Sequence, residues 1–300
     1  MPDVTANART AAAPARVQTI RPAGKNRTAA RVQAAVLRGL VGLAALLTAA
    51  VLVFLIGYIL VMGIPNLKPE LFAWEYTSDN VSLVPALINT LFMTAFSLVI
   101  ATPLGVFAAI WLVEYAPRGS KLVRLVRITT ETLQGIPSIV YGLFGYILFV
   151  ITLGWSYSML AGSVTLAIMI LPLIIRTTEE ALISVPDSYR EGSFGLGAGK
   201  LRTVFKIILP CAVPGILAGV ILAIGRIVGE SAALIFTAGT VAQVPGSLFD
   251  SARTLSVHMY ALLSEGLYTN QAYATAVVLL ALVILINAVS GFIAKKLATR

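Results

Sequence analysis

Stretches without Asp, Glu, Lys or Arg divide this chain into long apolar runs separated by short polar segments. The first run, Gly39–Gly63, carries no charge and exceeds the ~20 residues a helix needs to cross a bilayer. A polar segment, 64–84, follows, with Lys68, Glu70, Glu75 and Asp79, and with Trp74 and Tyr76 suited to a membrane–water boundary. The second run, Pro85–Val113, contains Pro103, which predicts a kink. After a basic turn (Arg118, Lys121, Arg124, Arg127) comes Thr132–Ile175, uncharged throughout and too long for one crossing. Gly154-Trp155-Ser156-Tyr157 divides it into a third and a fourth span, and Gly135 and Pro137 predict a bend where the third opens. A polar loop, 177–210, leads to the run Cys211–Ala238, which is interrupted by Arg226 and Glu230. A mixed segment, 239–271, holds Asp250, Arg253, His258 and Glu265, and Ala272–Ala294 closes the series. The pattern predicts an all-α integral membrane protein with six transmembrane helices.

Composition agrees: 58% of residues are hydrophobic, 12% are charged, and mean hydropathy is +0.90. A soluble fold could not hide that much apolar surface. The net charge of +9 does not mark a nucleic-acid patch, because the basic residues flank apolar runs. Segments 1–38, 118–127, 176–206 and 295–300 hold 19 of the 22 Lys and Arg, while the segments on the other side hold Lys68 and Arg253. This asymmetry predicts both termini in the cytoplasm. It also disfavours a seventh helix over Ser231–Phe249, which would put Lys295, Lys296 and Arg300 outside. Residues 1–38, rich in Ala, Arg and Pro, form a basic cytoplasmic tail expected to be disordered at least in its first half, with a short helix possible over Arg31–Arg38. Residues 39–300 form the membrane domain. One cysteine, Cys211, excludes an intrachain disulfide, and one histidine, His258, expected in an outer loop, excludes a multi-histidine metal site.

Two features carry candidate chemistry. In the loop, Ser184 and Pro186 start a helix of about Pro186–Leu196, Gly197 permits a left-handed turn, and a second short helix leads into the fifth span at Pro210. With Gly192 and Gly195 inside it, so short a helix is marginal alone and needs a docking partner. The run Gly195-Leu196-Gly197-Ala198-Gly199-Lys200 imitates a phosphate cradle, but Phe194 and Leu201 stand where a P-loop needs Gly and Ser or Thr, so ATP belongs on another subunit. The second feature is Arg226 with Glu230, one turn apart within an apolar span. An ionised group at mid-bilayer costs about 2.5–3.5 kcal/mol on insertion scales, so it faces a partner or a water-filled path. A guanidinium suits an anion there, with Glu230 as orienting group or counter-ion; the alternative is a structural pair between packed helices. A serine protease is disfavoured, since Gly229-Glu230-Ser231-Ala232-Ala233 lacks the final glycine of G-x-S-x-G.

The loop resembles that of ABC-importer permeases: Glu191, Gly197, Ile207, Leu209 and Pro210 fall on its register, with Gly192 and Ser193 where alanines are usual. Ala223-Ile-Gly-Arg226-Ile-Val-Gly-Glu230-Ser-Ala-Ala, Glu131-Thr-Leu-Gln-Gly-Ile-Pro-Ser138 and Arg176-Thr-Thr-Glu179 are similar to the phosphate-importer permease family PstA. The resemblance covers about 40–295. It implies a type I ABC-importer permease fold in the cell inner membrane and no covalent chemistry on this chain. Tyr189, Glu191, Gly192, Ser193, Gly197, Ile207, Leu209 and Pro210 are implied to couple to an ATPase, and Arg226, Glu230 and Arg176 to line the substrate pathway. It implies a PstC-like sister permease, two copies of a PstB-like ATPase carrying ATP and Mg, and a PstS-like phosphate-binding protein outside. No cofactor is expected on this chain. A permease for another oxyanion, such as sulfate or molybdate, is the alternative.

Overall fold

The computed structural model describes residues 27–117 and 119–298, all helical or irregular with no strand among them. Its helices are α1 (Arg27–Gly63), α2 (Val84–Ile110), α3 (Lys121–Gln134), α4 (Ser138–Gly145), α5 (Met159–Ile183), α6 (Asp187–Gly195), α7 (Lys200–Thr203), α8 (Leu209–Val228), α9 (Ala232–Thr237), α10 (Leu255–Glu265) and α11 (Thr269–Ala298). Wide π turns extend α2 (Trp111–Tyr115) and α4 (Tyr146–Thr152), and a third, Val204–Ile208, joins α7 to α8. Five helical stretches are long and apolar enough to span a membrane: Arg31–Asn66, Val84–Tyr115, Met159–Ile183, Lys200–Val228 and Thr269–Lys296. A sixth span results if Lys121–Gln134 and Ser138–Thr152, bent by 102°, are taken as one.

The chain divides after Leu55. In the first unit, the expected basic tail is helical from Arg27 onward, and residues 1–26 lie outside the described ones. The last proline of the tail is Pro22, and the Ala- and Arg-rich sequence beyond it favours helix. Side chains 31–55 are exposed throughout, as suits an apolar helix in lipid.

In the second unit α5 is the central element, packing on α2, α8, α3, α4 and α9. The α5–α8 contact is close because Gly215 and Gly219 face Ala181 and Thr177; a Cβ at Gly215 would lie 2.7 Å from that of Ala181. Small residues four apart let helix backbones approach where no hydrophobic effect drives association. One core joins Met93, Leu166, Ile170, Ile227 and Leu234, and a second joins Ile110, Leu112, Leu182, Val185, Val204 and Ile208 beneath the loop helices.

Three expected boundaries move. The bend at Gly135–Pro137 is present, but the helix beyond it is only about 22 Å long at 1.5 Å per residue, short of a ~30 Å hydrocarbon core. The preceding arm is the amphipathic α3, not the start of an apolar span. The fifth span is Lys200–Val228 rather than 211–238. Pro210 does not begin it: the Val204–Ile208 π turn loosens the backbone ahead of a residue that cannot donate to the carbonyl four before it. At the other end the helix stops at Gly229, and the chain continues as the short α9 and an irregular segment. That segment is fixed by backbone bonds Met159 N–H to Asp250 O (2.9 Å) and Ala252 N–H to Ala238 O (3.1 Å).

Candidate functional site

The loop between α5 and α8 is built by its caps. α6 ends in a Schellman turn: Gly197 N–H donates to Phe194 O (2.9 Å) and Ala198 N–H to Ser193 O (3.1 Å), with Gly197 at φ +83°. This is the left-handed turn the sequence predicts, and nothing lies within 4 Å of where a Gly197 Cβ would be. A side chain there is opposed by backbone conformation, not by crowding. Gly192 also has open space, so the usual alanine would fit. Tyr189, Glu191, Phe194 and Leu196 are exposed, whereas Ser193 is buried, its hydroxyl 2.8 Å from that of Thr203 on α7. Ile207 and Leu209 pack against the core under the loop and Pro210 is exposed.

The sequence reading missed the residue that fastens this loop. Arg190 points inward from α6. Its Nε and Nη2 reach Glu114 Oε1 at 3.1 and 2.6 Å, its Nη2 also donates to Leu182 O (3.0 Å), and its Nη1 donates to Val185 O (2.8 Å) and Asp187 Oδ1 (3.2 Å). The Arg190 and Glu114 side chains are 15% and 8% exposed, so the pair is largely desolvated. Leu182 is in the last turn of α5 and Val185 lies just beyond it; this end leaves carbonyls unsatisfied and favours a cation. Glu114 sits in the π turn after α2, and the ring of its neighbour Tyr115 lies 5.0 Å from Lys200 Nζ. The available signal was a charge at the edge of an apolar run, Glu114, with an arginine in the loop motif.

A second charged group joins α3 to α5. Arg176 donates to Glu131 (3.2 Å) and Glu180 (3.0 Å), and Arg127 Nε to the buried Glu179 (2.6 Å). These residues border a cavity of about 190 Å³. Arg176 is therefore engaged by two carboxylates.

Arg226 differs. It lies half-buried in the last turn of α8 and forms no hydrogen bond or ion pair with any described residue. Tyr141 of α4 is within its electrostatic reach. Glu230 is not its counter-ion. The helix break at Gly229 takes the two off a common face, and the buried Glu230 carboxylate accepts from Ala233 N–H (3.1 Å), capping the start of α9. Arg176 and Arg226 are also apart in depth: from the Gly219–Thr177 contact, α8 runs about 10 Å further to reach Arg226. His258, expected in an outer loop, is buried in α10 against Tyr76. Burial, and secondarily the Arg253 charge, pushes its pKa down to about 3, so it is neutral at physiological pH.

A long, apolar, multi-helix chain with a capped polar loop between two packed helices invites comparison with known transporters. The family model described as binding-protein-dependent transport system inner membrane component matches residues 101–300. The chain belongs to this family. A probable ABC transporter permease, YqgI of Bacillus subtilis, is 34% identical over 76% of this chain and 83% of its own length. The phosphate transport system permease PstA of Mycobacterium leprae is 36% identical over 72% of this chain and 71% of its own. Among solved structures, a chain of the MetNI methionine ABC transporter in an inward-facing conformation superposes with a TM-score of 0.59 at 26% identity, covering 72% of this chain and 95% of that one. As a member of the family, this chain is a multi-pass inner-membrane transport subunit with the type I importer permease fold. It works with an ATPase, which hydrolyses ATP, and with a binding protein.

Proposed function

We propose that this chain is the permease subunit of an ATP-driven inorganic phosphate importer, forming half of the translocation pathway. The observation that carries the reading is Arg226, a guanidinium in an apolar helix with no carboxylate of its own among the described residues. A planar fork of N–H donors suits a tetrahedral oxyanion, and the phosphate transport permeases among the relatives supply the identity of that anion. The other half of the pathway comes from a PstC-like permease. Two PstB-like ATPases bind ATP and Mg, and a PstS-like protein delivers phosphate from outside. With both termini and the 177–210 loop cytoplasmic, α6 meets the ATPase through Tyr189, Glu191 and the Schellman turn at Gly197. Closure of the ATPase pair moves α6, and the bundle switches from inward- to outward-facing. Glu230 serves the pathway indirectly, by capping α9 beside Arg226, and Arg176 holds α3 to α5 at the cytoplasmic end.

The test is transport by the reconstituted complex. Proteoliposomes holding this chain with its ATPase, sister permease and binding protein should accumulate labelled phosphate when ATP is supplied. A tenfold excess of unlabelled phosphate should suppress the signal, and sulfate or molybdate should not. Accumulation of sulfate in preference to phosphate contradicts the reading.

A further inference from the structure

α6 has two faces with different tasks. Tyr189, Phe194 and Leu196 are exposed, at 52%, 48% and 91%. Arg190 and Ser193, three apart and thus on one side of the helix, point inward. The side chains of this inward face bond to the rest of the chain at two places. The Ser193–Thr203 hydroxyl pair fastens α6 to α7, which continues into α8. Arg190 fastens it to the ends of α2 and α5. A nine-residue helix with two glycines has little stability of its own, so its position is set by these attachments and by whatever covers the exposed face.

We propose that the Arg190–Glu114 pair is the joint through which displacement of α6 reaches α2 and α5, a positioning element separate from both the ATPase-facing surface and Arg226. The inference rests on the reading of α6 as the ATPase-facing helix. Three observations carry it. The guanidinium lies against both Glu114 oxygens, with Nε 3.1 Å from Oε1 and 3.4 Å from Oε2, so the contact constrains angle as well as distance. The same guanidinium bonds Leu182 O and Val185 O at the end of α5, the helix on which α2 and α8 pack, so the pair moves with the centre of the bundle. Glu114 stands in a π turn, a wide helical turn frequent at functional sites. Beside it, the Lys200–Tyr115 contact links the same turn to α7. A displacement of α6 therefore reaches α2 and α5 through the charge pair and α8 through the hydroxyl pair.

Conservative variants test this, because deleting Arg190 strands a desolvated carboxylate. Glu114→Gln keeps the side-chain shape and one acceptor oxygen but removes the charge and the second oxygen that Nε approaches. Arg190→Lys keeps the charge and loses the planar donors that reach Glu114 and both carbonyls together. Each variant is purified as the full complex and reconstituted, and phosphate accumulated per ATP hydrolysed is measured beside complex yield. Both variants should assemble in wild-type yield and show at least a tenfold lower ratio of phosphate moved to ATP spent. A wild-type ratio in both overturns the proposal. Loss of assembly in both also overturns it, since the pair would then be a folding staple. Failure of the underlying reading looks different: replacing the exposed α6 side chains Tyr189 and Leu196 by Ala would leave ATPase co-purification at the wild-type level.

Discussion

Arg190 and Arg226 are the same side chain in opposite circumstances. Both lie near helix ends and both are withdrawn from solvent to some degree. Every nitrogen of the Arg190 guanidinium is engaged: Nε and Nη2 by Glu114, Nη2 also by Leu182 O, and Nη1 by Val185 O and Asp187. Arg226 has no hydrogen bond or ion pair with a described residue, and the carboxylate nearest to it in sequence, Glu230, is turned to the start of α9. The contrast separates two uses of a costly charge. At Arg190 the local structure compensates the charge, which holds three helix ends together. At Arg226 the fold leaves the charge unanswered by any described residue, and in the proposed function the compensating anion is the cargo.

Removing each side chain gives the largest separation between the two. Arg190→Ala leaves the Glu114 carboxylate, 8% exposed, without a cation. Breaking a buried pair from one side costs about 3–5 kcal/mol. The complex should be recovered in much lower yield and melt at lower temperature, while Arg226→Ala is recovered as wild type. Equal yields for the two would erase the distinction. The next effect sharpens the role of the loop. Gly197→Val must adopt a positive φ, at a cost of roughly 1–3 kcal/mol, which should loosen the Schellman turn and weaken ATPase binding measured by co-purification. Gly197→Asn, which tolerates a left-handed backbone, should retain most of it. If Val and Asn behave alike, the backbone conformation at Gly197 does not matter to docking. The smallest effect belongs to the hydroxyl joint. Ser193→Ala removes one hydrogen bond worth about 1 kcal/mol and leaves Thr203 bonded to Gly199 O (3.2 Å). It should lower the melting temperature of the complex by a few degrees and leave phosphate uptake within twofold of wild type.

Much of this arrangement was legible in the residues. Charge-free runs are the direct imprint of lipid on a sequence, so most spans fall where the pattern places them. Gly197 was readable because a left-handed turn selects its residue type locally. The pair of helices around it followed from proline, glycine and apolar spacing. What escaped were features decided at long range. Glu114 and Arg190 are 76 positions apart, and nothing local at either residue names the other. The spacing of Arg226 and Glu230 fits one face of a continuous helix, and that period concealed the break at Gly229. The three π turns have no period of their own; the one before Pro210 arises from the demands of a proline within a helix. His258 looked like a loop residue because the polar residues around it, among them Arg253, are buried within the fold.

The most direct measurement is ATP-driven phosphate uptake by complexes carrying Arg226→Gln, Arg226→Lys and the double change Arg226→Gln with Glu230→Gln. Complex yield is recorded alongside. The account predicts assembly of all three. It predicts uptake reduced at least 100-fold in Arg226→Gln, partial recovery in Arg226→Lys, where charge remains without the planar fork, and no recovery in the double variant. Transport restored by the double variant would mean that Arg226 answers Glu230 and not the anion, and would contradict the account.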